Sequence, residues 1–597
     1  MAATGGTDRC VPAYDPLDGV VKQRRRDMKI GLISINMHTK SLNFACPIHS
    51  WAFQRFLKLH GIETKIIDYT PNYNDDFPAR EPAPYYEKKY NEQLAKEPKT
   101  EEEIRDRESK LRQYKSKWEG YAALHDERCK RFDRFEEFIE TYYDKTAEAY
   151  DEETLDVTDS GFDCYICVTD VIWSCDDYWG FDTGFLLDCK TMENKWKIAY
   201  AASRGVPKEL PVCQEDYFAR AVSDIDFVSV REKSLGDYIH GLLPDKPVTS
   251  VIDPVLLLPV EEYEKILIKP ELEHYIVVYY AMERPKELFQ MAVRYAKTHK
   301  VKIVELTHMP IEGGMIDDES VEVIQDFAAG PKEWLGYLKY ADCIFTNSFH
   351  ATCFSILFHK RFFNSRRNGD KLSNLLETFG LTDRTFQELR KGFADRAAQK
   401  GLRRKYHSAR ILLGIEKQPF DRTIDYRKVD QILEQERKKS GDFILSAISY
   451  ASEHERPKTD YDAVRKKMDL IFAYYSNNEE AVWTGGTIDD KKEELRTIGN
   501  GKTEYRLYHW QNSGEIEARF DLFEREGYVL EGWYLRIRIN HSWYWVHTDG
   551  SIVPRDQKHR PSTDREHMLL KPGMKIPYVP VRMISVMIAD AVWKKEE

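Results

Sequence analysis

The chain has 597 residues, a formal net charge of −11 and an apolar fraction of 42%. Single hydrophobic cores stop growing at about 250–300 residues, so two or three domains are expected. The acidic balance argues against a general nucleic-acid binder, because phosphate contacts need a basic face. No stretch reaches the roughly 18 consecutive apolar residues of a membrane span, which predicts a cytoplasmic protein, either free or peripheral to the inner face of the membrane.

The N-terminal part of the chain predicts an α/β domain. Residues 1–27 include Arg24-Arg25-Arg26 without the apolar segment of a secretory signal, and they are predicted to be a disordered extension. A strand at Lys29–Ile35, a helix at Ile48–Leu59 and a strand at Ile62–Asp68 then form a β-α-β pattern. This opening predicts a parallel, doubly wound sheet.

Further patterns divide the rest of the chain. We predict an N-terminal Rossmann-like domain at 28–260 with a densely charged helical insertion at about 85–154, and a second Rossmann-like domain at 261–453. The strand-like runs that support both domains are Cys164–Thr169, Lys197–Ala201, Asp226–Val230, Tyr275–Tyr280, Lys302–Leu306 and Cys343–Thr346. A helical linker at 454–480 and a β-rich accessory domain at 481–597 complete the prediction.

The ten cysteines lie mostly in apolar surroundings, which favours buried thiols in a reducing compartment over a disulfide framework. Cys164-Tyr-Ile-Cys167 has the spacing of a redox or zinc motif, but no second Cys or His pair in the sequence stands at metal-ligand spacing. Because this segment lies inside an apparent strand, both thiols are interpreted as structural. No metal site is predicted.

The segment after the strand Cys343–Thr346 is the strongest candidate for chemistry. Asn347 and Ser348 form a polar crest before an apolar helix that begins near His350. In open α/β sheets the carboxyl ends of the strands and the following helix N-termini form the ligand crevice. A helix N-terminus favours a phosphate or carboxylate, and an imidazole there suits proton transfer. The alternative, a buried histidine satisfied by a carbonyl group, is equally consistent with the local pattern.

Other polar residues also follow predicted strands. Arg231 stands at a strand-to-helix junction, where a guanidinium can hold an anion bidentately or pair with a nearby carboxylate. Asp170 interrupts an apolar run that ends at Trp173, and both residues suit either hydroxyl binding or loop support. His49 and His308 lie at cleft positions without a distinctive spacing.

Taken in order, these segments resemble the polysaccharide pyruvyl transferase family over about residues 28–453. The corresponding motifs are Asn43-Phe44-Ala45, Val168-Thr169-Asp170-Val-Ile-Trp173, Tyr200-Ala-Ala-Ser203-Arg-Gly205, Ser229-Val-Arg231-Glu-Lys-Ser234, Asp253-Pro254 and Ser348-Phe-His350-Ala. Ala45 and Ala351 replace family glycines, and Ser348 stands where some relatives have an arginine that binds phosphoenolpyruvate.

The resemblance implies an α/β fold of two Rossmann-like domains similar to the GT-B glycosyltransferases. It also implies transfer of pyruvate from phosphoenolpyruvate onto sugar hydroxyls as a ketal, in the biosynthesis of exopolysaccharide or another cell-envelope glycan. The expected partners are phosphoenolpyruvate as co-substrate and a saccharide or lipid-linked saccharide as acceptor. No further cofactor and no metal ion are implied.

On this basis we expect His350 to be the general acid and base and Arg231 to clamp the donor's phosphate or carboxylate. Asn347 and Ser348 would supply further donor contacts at the helix N-terminus. Asp170, Trp173 and His308 are expected to contact the acceptor or support loops.

Two other functions remain consistent with the sequence. One is a GT-B glycosyltransferase that uses a nucleotide sugar, because architecture does not decide the donor. The other is a glycan-binding or assembly protein on a degenerate transferase fold. Aromatic residues of the β-rich domain, such as Trp533 and Trp545, suit either stacking on sugars or a structural core.

Overall fold

The structure is a computed structural model. It describes residues 28–35, 42–71, 77–96, 101–175, 180–208, 210, 212–281, 285–307, 320–365, 369–397, 419–461, 469–478, 480–487, 493–498, 502–511, 517–539, 542–555, 561, 564–577 and 586–596. The predicted extension at 1–27 and the candidate His308 lie outside these ranges.

The first parallel sheet contains seven strands in the order β3-β2-β1-β4-β5-β6-β7. They are β1 (Ile30–Ser34), β2 (Lys65–Tyr69), β3 (Lys145–Tyr150), β4 (Cys164–Asp170), β5 (Trp196–Ala202), β6 (Phe227–Val230) and β7 (Val248–Ser250). The central strands β1, β4 and β5 are buried along their whole length, as expected for a parallel sheet covered on both faces. The strand order reverses between β1 and β4, which creates a crevice at their carboxyl ends.

Helices surround this sheet and, together with it, form what we call the N-terminal lobe. They are α1 (Ala45–Leu59), α2 (Ala83–Leu94), α3 (Glu101–Ala123), α4 (His125–Tyr142), α5 (Glu152–Val157), α6 (Val212–Asp224), α7 (Lys233–Leu242), α8 (Pro254–Leu257) and α9 (Val260–Glu264). Helices α2 to α4 form the predicted insertion. The helical part ends at Tyr142, and the charged segment that follows it forms the edge strand β3.

The second parallel sheet contains five strands in the order β10-β9-β8-β11-β12. They are β8 (Tyr275–Tyr279), β9 (Lys302–Leu306), β10 (Val323–Asp326), β11 (Cys343–Thr346) and β12 (Arg361–Asn364). With α10 (Lys286–His299), α11 (Pro331–Tyr340), α12 (Phe349–Leu357), α13 (Lys371–Thr378) and α14 (Phe386–Ala397) they form the C-terminal lobe. The order reverses between β8 and β11, so α12 begins beside this second crevice.

A long helix, α15 (Tyr426–Glu453), returns from the C-terminal lobe to the N-terminal lobe. Its Ser440 Oγ accepts a hydrogen bond from Ile252 N at 3.0 Å, and Arg437 donates to the carbonyl groups of Leu256 and Leu258. One hydrophobic cluster contains residues of both sheets and of α15. The two lobes are therefore packed against each other through a shared core.

The last part of the chain forms a mixed sheet of eight strands in which β13 and β22 pair in parallel. Its strands are β13 (Asp469–Tyr475), β15 (Glu493–Ile498), β16 (Lys502–Gln511), β18 (Tyr528–Ile539), β19 (Ser542–Val546), β20 (Ile552–Pro554), β21 (Leu569–Leu570) and β22 (Val586–Lys595), and a separate pair comprises β14 (Val482–Trp483) and β17 (Phe523–Glu524). A short helix, α16 (Arg565–Met568), precedes β21. Trp533 is fully buried and donates to Arg519 O at 2.9 Å, so this tryptophan belongs to the domain core and is not an exposed sugar platform.

The predicted fold class is confirmed: the chain is an α/β protein with two Rossmann-like parallel sheets, a helical insertion and a C-terminal β-rich part. One boundary differs from its prediction, because β13 begins at Asp469, inside the segment predicted as a helical linker at 454–480. The strand pairs in parallel with β22 and buries Phe472 and Tyr474 in the core of the β-rich domain, and these tertiary contacts outweigh the helical pattern of the sequence. Within the described ranges, no helix combines the length and apolarity needed to cross a bilayer.

Candidate active site

The candidate site lies where the two lobes meet. In the N-terminal lobe it includes the carboxyl ends of β4, β5 and β6 and the segment after β7, which carry Asp170, Arg231 and Asp253. In the C-terminal lobe it includes the first turn of α12, which follows β11 and carries His350. Both crevices of the two parallel sheets thus open onto one cluster of polar side chains, where ligands bind in folds of this kind.

Asp253 is the centre of this cluster. It caps α8 by accepting a hydrogen bond from Val255 N at 3.1 Å, and its Oδ2 accepts from Thr169 Oγ1 at 3.0 Å and Arg231 Nη1 at 2.8 Å. Burial acts to raise the pKa of this carboxyl group, but the adjacent His350 and Arg231 outweigh burial and hold the pKa well below its usual range. Asp253 is therefore a fixed negative charge.

Arg231 is surrounded by carboxylates. Its guanidinium lies 2.8 Å from Asp253, 3.0 Å from Glu232 and 3.4 Å from Asp170, and its side chain is only 3% exposed. Burial acts to lower its pKa, but the three acidic neighbours raise the pKa well above the ordinary value. The guanidinium also packs on Phe349, 4.3 Å from the ring centroid. This geometry differs from the predicted donor clamp, because the donating groups of Arg231 already face carboxylates.

His350 faces Asp253 from the other lobe. Its Nε2 lies 3.4 Å from Asp253 Oδ2 and, among the described residues, has no hydrogen-bond partner. The preceding Ser348 caps α12 by accepting from Ala351 N at 3.3 Å, and Asn347 Oδ1 accepts from Ala281 N at 2.7 Å. Both predicted crest residues thus hold the helix N-terminus in place.

His49 stacks on His350, with ring centroids 5.5 Å apart and ring planes 23° from parallel. Its Nδ1 lies 3.2 Å from Ser50 Oγ, which in turn lies 2.7 Å from Ser34 Oγ. Burial, together with the nearby His350, lowers the pKa of His49 to about 4, so the ring is neutral near pH 7. The sequence placed His49 at the cleft, and the structure brings it directly against His350.

The end of β4 has an unusual backbone. Thr169 and Asp170 have φ values of 43° and 60°, in the left-handed region that residues with side chains seldom occupy. Thr169 Oγ1 is held by Ala201 O at 3.1 Å as well as by Asp253. Burial acts to raise the pKa of Asp170, but Lys371 and Arg231 lower it further than burial raises it. Strained backbone of this kind is concentrated at functional sites.

Trp173, in contrast, lies away from the polar cluster. It is fully buried, and its Nε1 donates to Phe185 O at 3.1 Å. Its ring packs edge-on against Phe218 in a hydrophobic cluster of the N-terminal lobe. Of the two roles considered for Trp173, the structure favours loop support over acceptor binding.

The loop after β5 brings the lobes into contact. Ser203 Oγ donates to Glu232 Oε1 at 2.8 Å and accepts from Gly205 N at 3.1 Å. Gly205 has a φ of 74°, and a Cβ there would lie 2.9 Å from Val171. A Cβ on Gly369, in the other lobe, would lie 3.4 Å from Gly205 O. Both glycines have a φ in the left-handed region, which disfavours a side chain, and the steric clash at Gly205 is with Val171 of its own lobe.

Sequence reasoning missed several members of the cluster. Asp253 was noticed only as part of an Asp-Pro motif, although this pair is typical of a helix N-cap. Glu232 follows the candidate Arg231 in the sequence, and Thr169 precedes the candidate Asp170, but neither was predicted to belong to the site. Lys371, at the start of α13 in the opposite lobe, lowers the pKa of Asp170 through its positive charge. No local sequence pattern indicates that the two residues lie near each other.

Comparisons with known proteins were made for sequence and structure. The profile of a family described as polysaccharide pyruvyl transferase matches residues 48–367. No curated protein is significantly similar to the chain in sequence.

Three solved structures are similar in part. UDP-N-acetylglucosamine 2-epimerase from Rickettsia bellii is 12% identical with a TM-score of 0.34, over 71% of this chain and 97% of that chain. Arabidopsis thaliana UGT89C1 complexed with UDP is 9% identical with a TM-score of 0.31, over 70% of this chain and 99% of that chain. UDP-GlcNAc 2-epimerase from Neisseria meningitidis is 11% identical with a TM-score of 0.33, over 68% of this chain and 99% of that chain. Scores this low have no bearing on the reaction.

Proposed function

The chain belongs to the polysaccharide pyruvyl transferase family, and from this premise we propose that it transfers pyruvate from phosphoenolpyruvate onto two hydroxyl groups of a saccharide to form a ketal. The acceptor would be a cell-envelope glycan precursor, free or lipid-linked, on the cytoplasmic side. The single observation that carries the proposal is the pairing of His350 with Asp253 across the two lobes, at the N-terminus of α12.

The reaction needs one proton to be delivered and two to be removed. Protonation of C3 of phosphoenolpyruvate makes C2 electrophilic, and one sugar hydroxyl adds to C2 as it loses its proton. The bond between C2 and the phosphate oxygen then breaks, and a second hydroxyl adds to C2 to close the ketal. Of the two hydroxyl protons, one balances the proton taken up at C3 and the other leaves with inorganic phosphate.

His350 is the residue proposed to move these protons. A histidine can both accept and donate a proton near neutral pH, and its Nε2 makes no hydrogen bond within the described residues and lies 3.4 Å from Asp253 Oδ2. Asp253, a fixed negative charge 3.4 Å away, would stabilise the imidazolium formed when His350 accepts the hydroxyl proton.

Arg231 is reassigned to a positioning role. It pairs with Asp253, Asp170 and Glu232 and so offsets part of the repulsion among three carboxylates that lie side by side. The donor anion would then be bound by the N-terminus of α12, which Ser348 and Asn347 hold in place. Lys371 supplies positive charge from the start of α13.

The test is a comparison of His350→Gln and His350→Ala with the unmodified protein. Loss of general acid and base catalysis should lower the rate of phosphate release by about 10²–10⁴-fold, with an unchanged melting temperature. His359→Ala is the matched control, because His359 lies just beyond the other end of α12, half exposed and 2.8 Å from Asp430. Near-normal turnover by both His350 variants would refute the assignment.

The alternative reaction is glycosyl transfer from a nucleotide sugar, and it must be distinguished from pyruvyl transfer. Thermal unfolding with phosphoenolpyruvate and with a panel of nucleotide sugars distinguishes the two, because only a ligand that binds the native state raises the midpoint. A shift with a nucleotide sugar and none with phosphoenolpyruvate would favour the glycosyltransferase. No shift with any donor and no turnover would favour the non-catalytic glycan-binding protein.

A further inference from the structure

Three side chains beside the His350–Asp253 pair carry the donor atoms of a transition-metal site. Cys46 and His49 lie one turn apart at the start of α1, and Asp170 ends β4. One ligand atom from each residue lies within 4.8 Å of the other two. In tetrahedral zinc sites the ligand atoms lie roughly 3.3–3.8 Å apart, so small side-chain adjustments would close the cluster around an ion.

His49 is oriented as a metal ligand. Its Nδ1 is 3.2 Å from Ser50 Oγ, and Ser50 is held in turn by Ser34. Its Nε2 is completely buried and has no hydrogen-bond partner within the described part of the chain. Histidines that bind metals almost always use the second ring nitrogen for a hydrogen bond of this kind, which fixes the tautomer and the ring plane. A buried, unpaired nitrogen is otherwise costly.

Asp170 is the third residue of this cluster and stands at the strained end of β4, with a φ of 60°. Its contact with Arg231 is long, at 3.4 Å, and its carboxylate has a second oxygen. A thiolate from Cys46 and the carboxylate of Asp170 would supply two negative charges to a divalent ion, while Asp253 and Glu232 remain to pair with Arg231. A mixed set of sulfur, nitrogen and oxygen ligands suits zinc, and three protein ligands leave a fourth position open, as in catalytic zinc sites.

We propose that Cys46, His49 and Asp170 bind a divalent cation of the zinc class, and that its open position takes a hydroxyl oxygen of the acceptor. The second part rests on the proposed function. A metal-bound hydroxyl loses its proton more readily, and His350, stacked 5.5 Å from His49, is placed to receive that proton. The hydroxyl oxygen would bind the open position first, its proton would pass to His350, and the oxygen would leave the ion as its bond to C2 of the donor forms.

The site is tested first by metal content and spectroscopy, without substrate. The full chain is stripped with a chelator, reloaded with Zn²⁺ or Co²⁺ and measured for bound metal per chain. Cobalt held by a thiolate gives a charge-transfer absorption band in the near ultraviolet. We expect one equivalent of metal and this band in the unmodified protein, and loss of both in Cys46→Ser. Asp170→Asn, which keeps the side-chain shape, should weaken metal binding at least tenfold.

Cys129→Ser is the matched control. Cys129 belongs to a second cluster with His125 and Glu81 in the helical insertion, where the histidine and the glutamate are exposed. If Cys129→Ser loses the band and Cys46→Ser keeps it, the proposed site is wrong. Absence of bound metal and of any band in the unmodified protein also overturns it. A metal-dependent rise in melting temperature that Cys46→Ser lacks, with an unchanged apo melting temperature, excludes misfolding as the cause.

Transfer assays then separate this inference from the proposed function. Stripped protein that transfers pyruvate at the full rate would refute hydroxyl activation by the metal and leave the transferase intact. Metal bound by Cys46, His49 and Asp170 in a protein that never releases phosphate from phosphoenolpyruvate would keep the ion site and refute the transferase. Rates lowered at least tenfold by the chelator and restored by Zn²⁺ support both.

Discussion

The carboxylate of Asp253 lies 3.4 Å from His350 Nε2, although the two residues belong to different lobes. Asp253 follows the last strand of the first sheet, and His350 opens the helix after the fourth strand of the second sheet in chain order. Neither residue has its partner without the docking of one lobe on the other. Their pairing is therefore the most direct consequence of the fold for chemistry.

Asp253→Asn should keep the shape of this side chain and remove its charge. We expect the turnover number to fall by about 10²–10⁴-fold, with little change in the KM for phosphoenolpyruvate, because the imidazolium of His350 loses its stabilising charge. Steady-state kinetics of phosphate release measure this. Asp342→Asn, at the amino end of β11 and far from the cleft, is the control. A rise in KM with a normal turnover number would contradict the assigned role.

Substitution of Arg231 distinguishes positioning from anion binding. Arg231→Met leaves three buried carboxylates without their counter-charge and should destabilise the fold by roughly 3–5 kcal/mol, as removal of one partner from a buried ion pair does. Arg231→Lys should retain part of the stability and lower the turnover number. Thermal and denaturant unfolding measure the stability of both variants, and steady-state kinetics measure their turnover number and KM. Arg361→Lys is the control substitution. If Arg231→Lys raised only the KM for the donor and kept full stability, the clamp would be the correct role.

Two glycines with the same backbone conformation allow a matched test of the packing between the loop after β5 and Val171, the residue after Asp170. Gly205 and Gly61 have φ values of 74° and 73°, but only at Gly205 would a Cβ meet a neighbour, 2.9 Å away at Val171. Gly61→Ala should cost about 1–2 kcal/mol of stability from backbone strain alone and leave turnover unchanged. Gly205→Ala should cost more and also reduce turnover. Equal effects of the two substitutions would show that the packing of Gly205 on Val171 is unimportant for the site.

The buried ion pairs of Asp224 predict a pH dependence of stability. Asp224 lies 2.6 Å from Lys197 Nζ and 2.8 Å from Arg456 Nη2. Burial acts to raise the pKa of Asp224, but the two cations lower it below the ordinary value. Since the folded pKa is below the unfolded value of about 3.9, this stabilisation is present above pH 4 and is lost as the pH falls through the folded pKa.

Asp224→Asn should therefore lower the melting temperature at neutral pH, by an amount equivalent to about 3 kcal/mol, and the difference from the unmodified protein should shrink below pH 4. Melting curves between pH 3 and pH 7 measure it. Asp106→Asn, which breaks an exposed pair with Lys110, is the control and should change stability by less than about 1 kcal/mol. A difference that does not vary with pH would contradict this linkage.

The central strands were predictable because they are continuous apolar runs. The edge strands β3 and β10 were not, because segments such as Lys145–Tyr150 lack an apolar run and become strands only through pairing with a neighbour. Likewise, the local pattern identified His350 at a helix N-terminus. Its partnership with Asp253, and the three carboxylates around Arg231, depend on how strand ends from distant parts of the chain are brought together. No local spacing encodes that arrangement.

The helix α15 has a mechanical consequence. It leaves the C-terminal lobe and is fastened to the segment that holds Asp253, through Ser440 on Ile252 and Arg437 on Leu256. At its other end Tyr426 donates to Ser355 O and Asp430 lies 2.8 Å from His359, so α15 is bonded to both lobes at once. The helix is therefore a brace that fixes the separation of Asp253 and His350, the two halves of the acid-base pair.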